Sequence, residues 1–204
     1  MKWKKTQALI YGCFLLLFWT PPAQSCVGRI LTLAITDSPD QQLIGRIVAT
    51  LITERTGTTV NLKSTADTAA GEKLLGEKNA DIVINYINNG LSRLDKKKAI
   101  TGDQEAYGLV KQHYREKLGL IWLKPLGYRG PTTTATDPQQ RSPAVVVTTR
   151  DVLERFPVLD RVINKLAGRL DNATLAALLA RIKEKEEKEV AVIAKDFLKT
   201  QHLI

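Results

Sequence analysis

The side chains that most often carry enzyme chemistry are sparse in this chain and poorly spaced for it. Only two histidines occur, His113 in a charged helical stretch and His202 near the end. Neither stands beside a cysteine or a carboxylate cluster at metal-ligand spacing, so both read as surface residues. There is no phosphate-cradling glycine loop, no Gly-x-Ser-x-Gly elbow and no His-Glu-x-x-His helix. The two glycines of "TAAGEKLLGEKNAD" fall within and at the end of a helical pattern, where packing or capping explains them. We therefore expect no enzyme, no metal and no cofactor. What remains is polar turns at strand ends and a few aromatic rings.

Those turns need elements to position them, and the pattern supplies alternating strands and helices. "RILTLAI" (29–35) reads as a strand. The helix after it has Ser38 as N-cap, Pro39 at its first position, Leu43, Ile44, Ile47, Val48 and Leu51 at helical spacing, and Gly57 as its stop. "TTVNLK" (58–63) is a second strand, followed by a helix over 67–77 and a third strand, "ADIVINY" (80–86). A polar helix over 103–117 leads to "GLIWLKP" as a fourth strand. A Pro/Thr-rich connector then reaches a fifth strand, "PAVVVTT". The remaining residues are helical: Val158, Leu159, Val162, Ile163 and Leu166 share a face, and Asp171 caps a helix that buries Leu175, Leu178, Leu179 and Ile182. The fold class is α/β, a mostly parallel five-stranded sheet flanked by helices with a helical C-terminal region.

Length supports one domain over 28–204 rather than two. "MKWKK", the apolar "ALIYGCFLLLFW" and the small residues of "TPPAQSC" describe an export signal over 1–25. Cleavage there would leave Cys26 at or near the new N-terminus, either lipidated or as a free thiol. The net charge of +9 falls to +6 once Lys2, Lys4 and Lys5 are removed, and the excess is spread along helices. That distribution argues for a solvated surface and against nucleic acid.

The segments "ILTLAITDSPDQQLIGRIVATLITERTG", "STADTAAGEKLLGEKNADIVINY", "YREKLGLIWLKPLGY", "VVVTTRDVLERFPVLDRVINKLAGRLDNATLAALLARI" and "VAVIAKDFL" together cover most of the chain after the signal. In this order they resemble the substrate-binding proteins of glycine betaine and choline ABC importers. The resemblance implies a periplasmic-binding-protein-like lobe, a small quaternary-ammonium solute and an inner-membrane ABC permease as partner, with the protein in the periplasm or anchored in the envelope. In that family aromatic faces surround the quaternary ammonium, whose charge the ring quadrupole attracts. Tyr86 falls on the tyrosine of the family's E-Y-T-G-T, and Thr68 on the threonine of its G-G-T turn. Thr36 and Asp37 lie in the loop after the first strand, where open parallel sheets bind ligands, and Tyr128 stands at the start of the connector. For Tyr86, packing at a sheet margin is an equal reading.

The departures matter as much. Thr132 and Pro143 stand where the family has further aromatics, and Asn88 and Asn89 replace the Gly and Thr of T-G-T. Asp37 and Asp40, close to a helix N-terminus, would repel a carboxylate. The family's second lobe is replaced by the connector 127–143. A single lobe leaves a ligand open to water, which a homodimer across the vacant face would remedy. The alternative to solute binding is a periplasmic interaction or sensor module that keeps the lobe as a scaffold.

Overall fold

The computed structural model describes residues 30–94, 102–131, 141–182 and 187–204. The export signal, Cys26 and connector residues 132–140 lie outside the described residues. The chain runs β1 (Ile30–Thr36), α1 (Pro39–Thr56), β2 (Thr59–Thr65), α2 (Thr68–Gly76), β3 (Ile82–Tyr86) and α3 (Ile87–Leu91). It continues with α4 (Asp103–Lys117), β4 (Leu120–Trp122), β5 (Arg129–Gly130) and β6 (Ser142–Thr149). Helices α5 (Arg150–Arg155), α6 (Leu159–Ile163), α7 (Asn172–Ala180) and α8 (Glu187–Thr200) complete it.

Local chemistry sets the boundaries that the sequence suggests. The Ser38 hydroxyl accepts from the Gln41 N–H at the start of α1, Pro39 needs no donor in the first turn, and Gly57 closes the helix at φ 70°. Asp67 caps α2 and Asp171 caps α7 in the same way, each accepting an N–H three residues on. The Asp171 carboxyl is held below the usual carboxylate range by the Thr174 N–H it accepts.

The sheet order is β2-β1-β3-β6-β4, with short β5 paired to β6. β1 is parallel to β2 and β3, whereas β6 is antiparallel to both β3 and β4. Five strands thus point one way and β6 is inserted against them, giving a mixed six-stranded sheet. The reversal follows from the connection. Among the described residues no helix separates β4 from β6, and a direct return between neighbouring strands is antiparallel.

Alternation along the strands divides the apolar residues between two faces. Leu31, Leu33, Ile35, Ile82, Ile84 and Val146 pack against α1 and the C-terminal helices. Ala34, Val83, Val145 and Val147 pack against α2, α3 and α4, together with Trp122 and Tyr114. Gly71 permits α2 to lie on the sheet, because a Cβ there would meet Val83 Cγ2 at 2.8 Å. Val158, expected on an apolar face, is exposed, and Leu179 and Ile182 are only half-buried.

Candidate functional site

Helix α1 carries the chain from β1 to β2 on one face, and α2 carries it from β2 past β1 to β3 on the other. The ends of β1 and β3 therefore diverge, which opens the crevice that such sheets use for ligands. Because β6 runs against its neighbours, its first residue joins the same edge: Tyr86, the last of β3, pairs with Ala144. The rim is built from Thr36, Asp37 and Ser38 after β1, Ser64 and Thr65 closing β2, Thr68 opening α2, Tyr86 to Asn89 after β3, and Ser142.

Four of the five expected ligand residues hydrogen-bond to residues 40–42 at the start of α1. The Thr36 N–H donates to Gln41 Oε1 at 2.9 Å, and Gln41 Nε2 donates to the Tyr86 hydroxyl at 3.3 Å. Asp37 Oδ1 accepts from Ser64 Oγ at 2.6 Å and from Gln42 Nε2 at 3.4 Å. Tyr128 joins through the neighbouring residue, its hydroxyl donating to Asp40 Oδ2. Thr68 belongs to a separate group, accepting from Asn89 Nδ2 at 2.9 Å, and Asn89 also donates to Asn85 Oδ1 at 3.1 Å.

Neither tyrosine presents a ring face to solvent: Tyr86 is 2% exposed and Tyr128 1%. Burial pushes the Tyr86 hydroxyl up to about 12, against the Gln41 hydrogen bond that favours its ionised form and with the nearby Asp40 charge adding to the rise. Asp37 is exposed and Thr36 and Thr68 are half-buried. Trp122 is buried on the opposite face, edge-on to Tyr114 with ring centroids 5.2 Å apart.

Sequence reasoning missed the polar group beneath Thr68. Glu72, on the inner face of α2 with its side chain 5% exposed, accepts from Asn85 Nδ2 and from Arg93 Nη1. Asn85 Oδ1 in turn accepts the Tyr86 N–H at 2.7 Å, so this network fixes the turn that leaves β3. Its signal was present as Glu72 between the buried Gly71 and Leu75, opposite an asparagine in an apolar strand. Across the rim, Asn88 N–H donates to Ser142 Oγ at 3.0 Å.

Among the described residues no group of three His, Cys, Asp or Glu could hold a metal ion. A rim of hydroxyls, amides and one exposed carboxylate offers many weak, reversible partners to a small polar molecule.

The family model for the substrate binding domain of the ABC-type glycine betaine transport system matches residues 30–139 and 134–200. The chain belongs to this family. It is thus a solute-binding protein of the ABC-importer type, a family whose members bind a small solute and work with an ABC permease. Among curated proteins none matches the sequence significantly. Solved structures share the fold. A glycine betaine/carnitine/choline ABC transporter protein matches at TM-score 0.71 and 15% identity, covering 86% of this chain and 98% of its own. Apo YehZ from Escherichia coli matches at TM-score 0.71 and 16% identity, covering 85% and 99%. Lactococcal OpuAC, in a closed form with glycine betaine, matches at TM-score 0.50 and 8% identity, covering 85% and 96%.

Two expectations remain to be placed. No helix among the described residues is long and apolar enough to cross a membrane. Among the described residues the exposed large apolar side chains, Ile30, Leu118, Val158 and Val192, are far apart in the sequence and give no support to the expected homodimer.

Proposed function

We propose that this family member is an exported single lobe that receives a small quaternary-ammonium solute at the strand-end rim and presents it to an ABC permease. The observation that carries the proposal is the convergence of Thr36, Asp37, Tyr86 and Tyr128 around the start of α1, at the switch point of a betaine-family sheet. Thr36, Asp37 and Thr68 offer the open contacts. Tyr86 and Tyr128 are the aromatic candidates, and ring contact with a cation requires the rim to open, since both rings are covered. The export signal over 1–25, and anchoring through a lipid on Cys26, belong to the same proposal and would keep the protein at the envelope.

The single-lobe reading has its own support. The two segments matched by the family model meet at 134–139, inside the connector. The strands on either side are paired to its edges, Arg129 with Pro143 and Gly130 with Ser142. The expected connector 127–143 is therefore partly sheet, and only its middle lies outside the described residues. A second reading, a periplasmic interaction or sensor module, is favoured by one observation: the buried tyrosines leave the rim without an exposed aromatic face.

Calorimetry of the signal-free chain against glycine betaine, choline and carnitine separates the two. Solute binding predicts saturable heat for at least one of them, weakened by Tyr86→Ala. Absence of heat at millimolar ligand, with a monomer by light scattering, would defeat solute binding and leave the interaction module.

A further inference from the structure

A cavity of about 510 Å³ opens beside the rim, between α1, the ends of β1 and β2, and the facing parts of α7 and α8. That volume falls in the range of roughly 300–1,000 Å³ typical of small-molecule sites. Its walls are mainly aliphatic, from Ile35, Leu43, Leu62, Leu179, Ile182 and Val190. Leu62, Leu179, Ile182 and Val190 are half-buried although they pack against the main core, so apolar surface remains uncovered here.

The charges in the walls select the occupant. Arg46, its side chain 20% exposed, is already neutralised by Glu187, which is 80% exposed. Asp37 at the mouth is held by two neutral donors, Ser64 and Gln42, and forms no ion pair among the described residues. Among the described wall residues one negative charge is therefore left over, at the end of an aliphatic chamber.

We propose that this cavity is a second binding site, for an organic cation carrying a hydrocarbon body. The aliphatic walls offer no hydrogen-bond partners, so a hydrocarbon chain suits them and a polar body does not. That chain covers the leucines while the charge stays near Asp37. The site shares Asp37 with the rim but is not lined by Tyr86 or Tyr128, and it does not depend on the rim holding a solute.

The test titrates the signal-free chain with hexyltrimethylammonium and, separately, with hexanoate. Hexyltrimethylammonium binds one to one, and hexanoate binds at least tenfold more weakly. Asp37→Asn weakens hexyltrimethylammonium about five- to tenfold, as expected for loss of one partly exposed charge. Leu179→Trp and Leu62→Trp, which fill the chamber from opposite sides, abolish its binding but leave any glycine betaine binding at the rim intact. Equal binding of hexanoate, an absence of hexyltrimethylammonium binding, or indifference to both tryptophan variants in folded protein overturns the proposal. Alkylammonium binding without betaine binding sustains it while removing the rim reading.

Discussion

Tyr86→Phe removes one oxygen atom and tests the buried run beneath the rim. At neutral pH the loss leaves Gln41 Nε2, in a residue 1% exposed, without its acceptor, which costs about 1–2 kcal/mol. The sign then changes with pH. The Tyr86 hydroxyl is pushed from 10.0 up to about 12 by folding, so the folded state holds its proton more tightly than the unfolded chain does. This contribution is fully present below pH 10 and is lost as pH rises through the folded value of about 12. Linkage gives a loss of about 1.4 kcal/mol by pH 11 and about 2.3 by pH 12, which the phenylalanine variant does not suffer. Urea midpoints for both proteins, from pH 7 to 12, should show the wild type ahead at pH 7 and the two curves crossing near pH 11. The other tyrosines and the lysines titrate in both proteins and cancel in the difference. A gap constant with pH would mean that Tyr86 titrates as an ordinary exposed tyrosine, and the packed Gln41–Tyr86 arrangement would be wrong.

Three further substitutions probe the supports around the site. Arg93→Met leaves the Glu72 carboxylate buried with only Asn85 beside it and should cost about 3–5 kcal/mol in urea unfolding, with Glu72→Gln restoring part of the loss. Gly90→Ala places a Cβ 2.7 Å from both Trp122 Cη2 and Val110 Cγ1 and should cost about 1–3 kcal/mol, read as a lowered Tm. Ser142→Ala removes the acceptor for the Asn88 N–H across the rim and should cost about 1 kcal/mol, with faster hydrogen exchange at Asn88 while core amides stay protected.

The parts of the fold that follow from local chemistry were legible. Ser38, Pro39 and Gly57 delimit α1 as the sequence suggests, and α4 spans Asp103–Lys117 as its pattern predicts. Family and α/β class were legible too, from the order of motifs. The direction of β6 was not, because "PAVVVTT" reads the same whether it pairs parallel or antiparallel. Short α3 escaped notice because Ile87–Leu91 has too few residues to display a period. At the site, sequence assigned Thr36, Asp37, Thr68, Tyr86 and Tyr128 to one ligand, but it could not say that Thr68 bonds apart with Asn89 or which way the rings face. That is decided by Gln41 and Asp40, which face inward from the first turn of α1 and draw both hydroxyls into the core. Likewise Leu179 and Ile182 have the spacing of core residues, and only the placement of α1 against α7 and α8 leaves them lining a cavity.

The outgoing arm is tied to the rest of the fold on both of its sides. From Leu120 to Gly130 the chain stays on β6, with Leu123 N–H to Val146 O at 3.0 Å, Leu126 N–H to Ala144 O at 3.0 Å and Ala144 N–H to Tyr128 O at 2.8 Å. Its other side is held as firmly. Gly127, at φ 109°, lets the backbone approach so closely that a Cβ would lie 3.2 Å from Gly168 Cα, and Leu170 N–H donates to Leu126 O at 3.1 Å. Asn172 then acts as a backbone mimic, accepting the Arg129 N–H at 2.9 Å and donating to Arg129 O at 2.8 Å. Residues 132–140 consequently join two strands that are already neighbours at Gly130 and Ser142. Closing a loop costs only about 0.6 kcal/mol more for each doubling of its length, so an insertion of any size at this point leaves the ladder's energetics nearly unchanged. On the proposed single-lobe reading, a missing lobe would therefore leave the ladder bonds between 123 and 146 in place and would cost the ligand its enclosure.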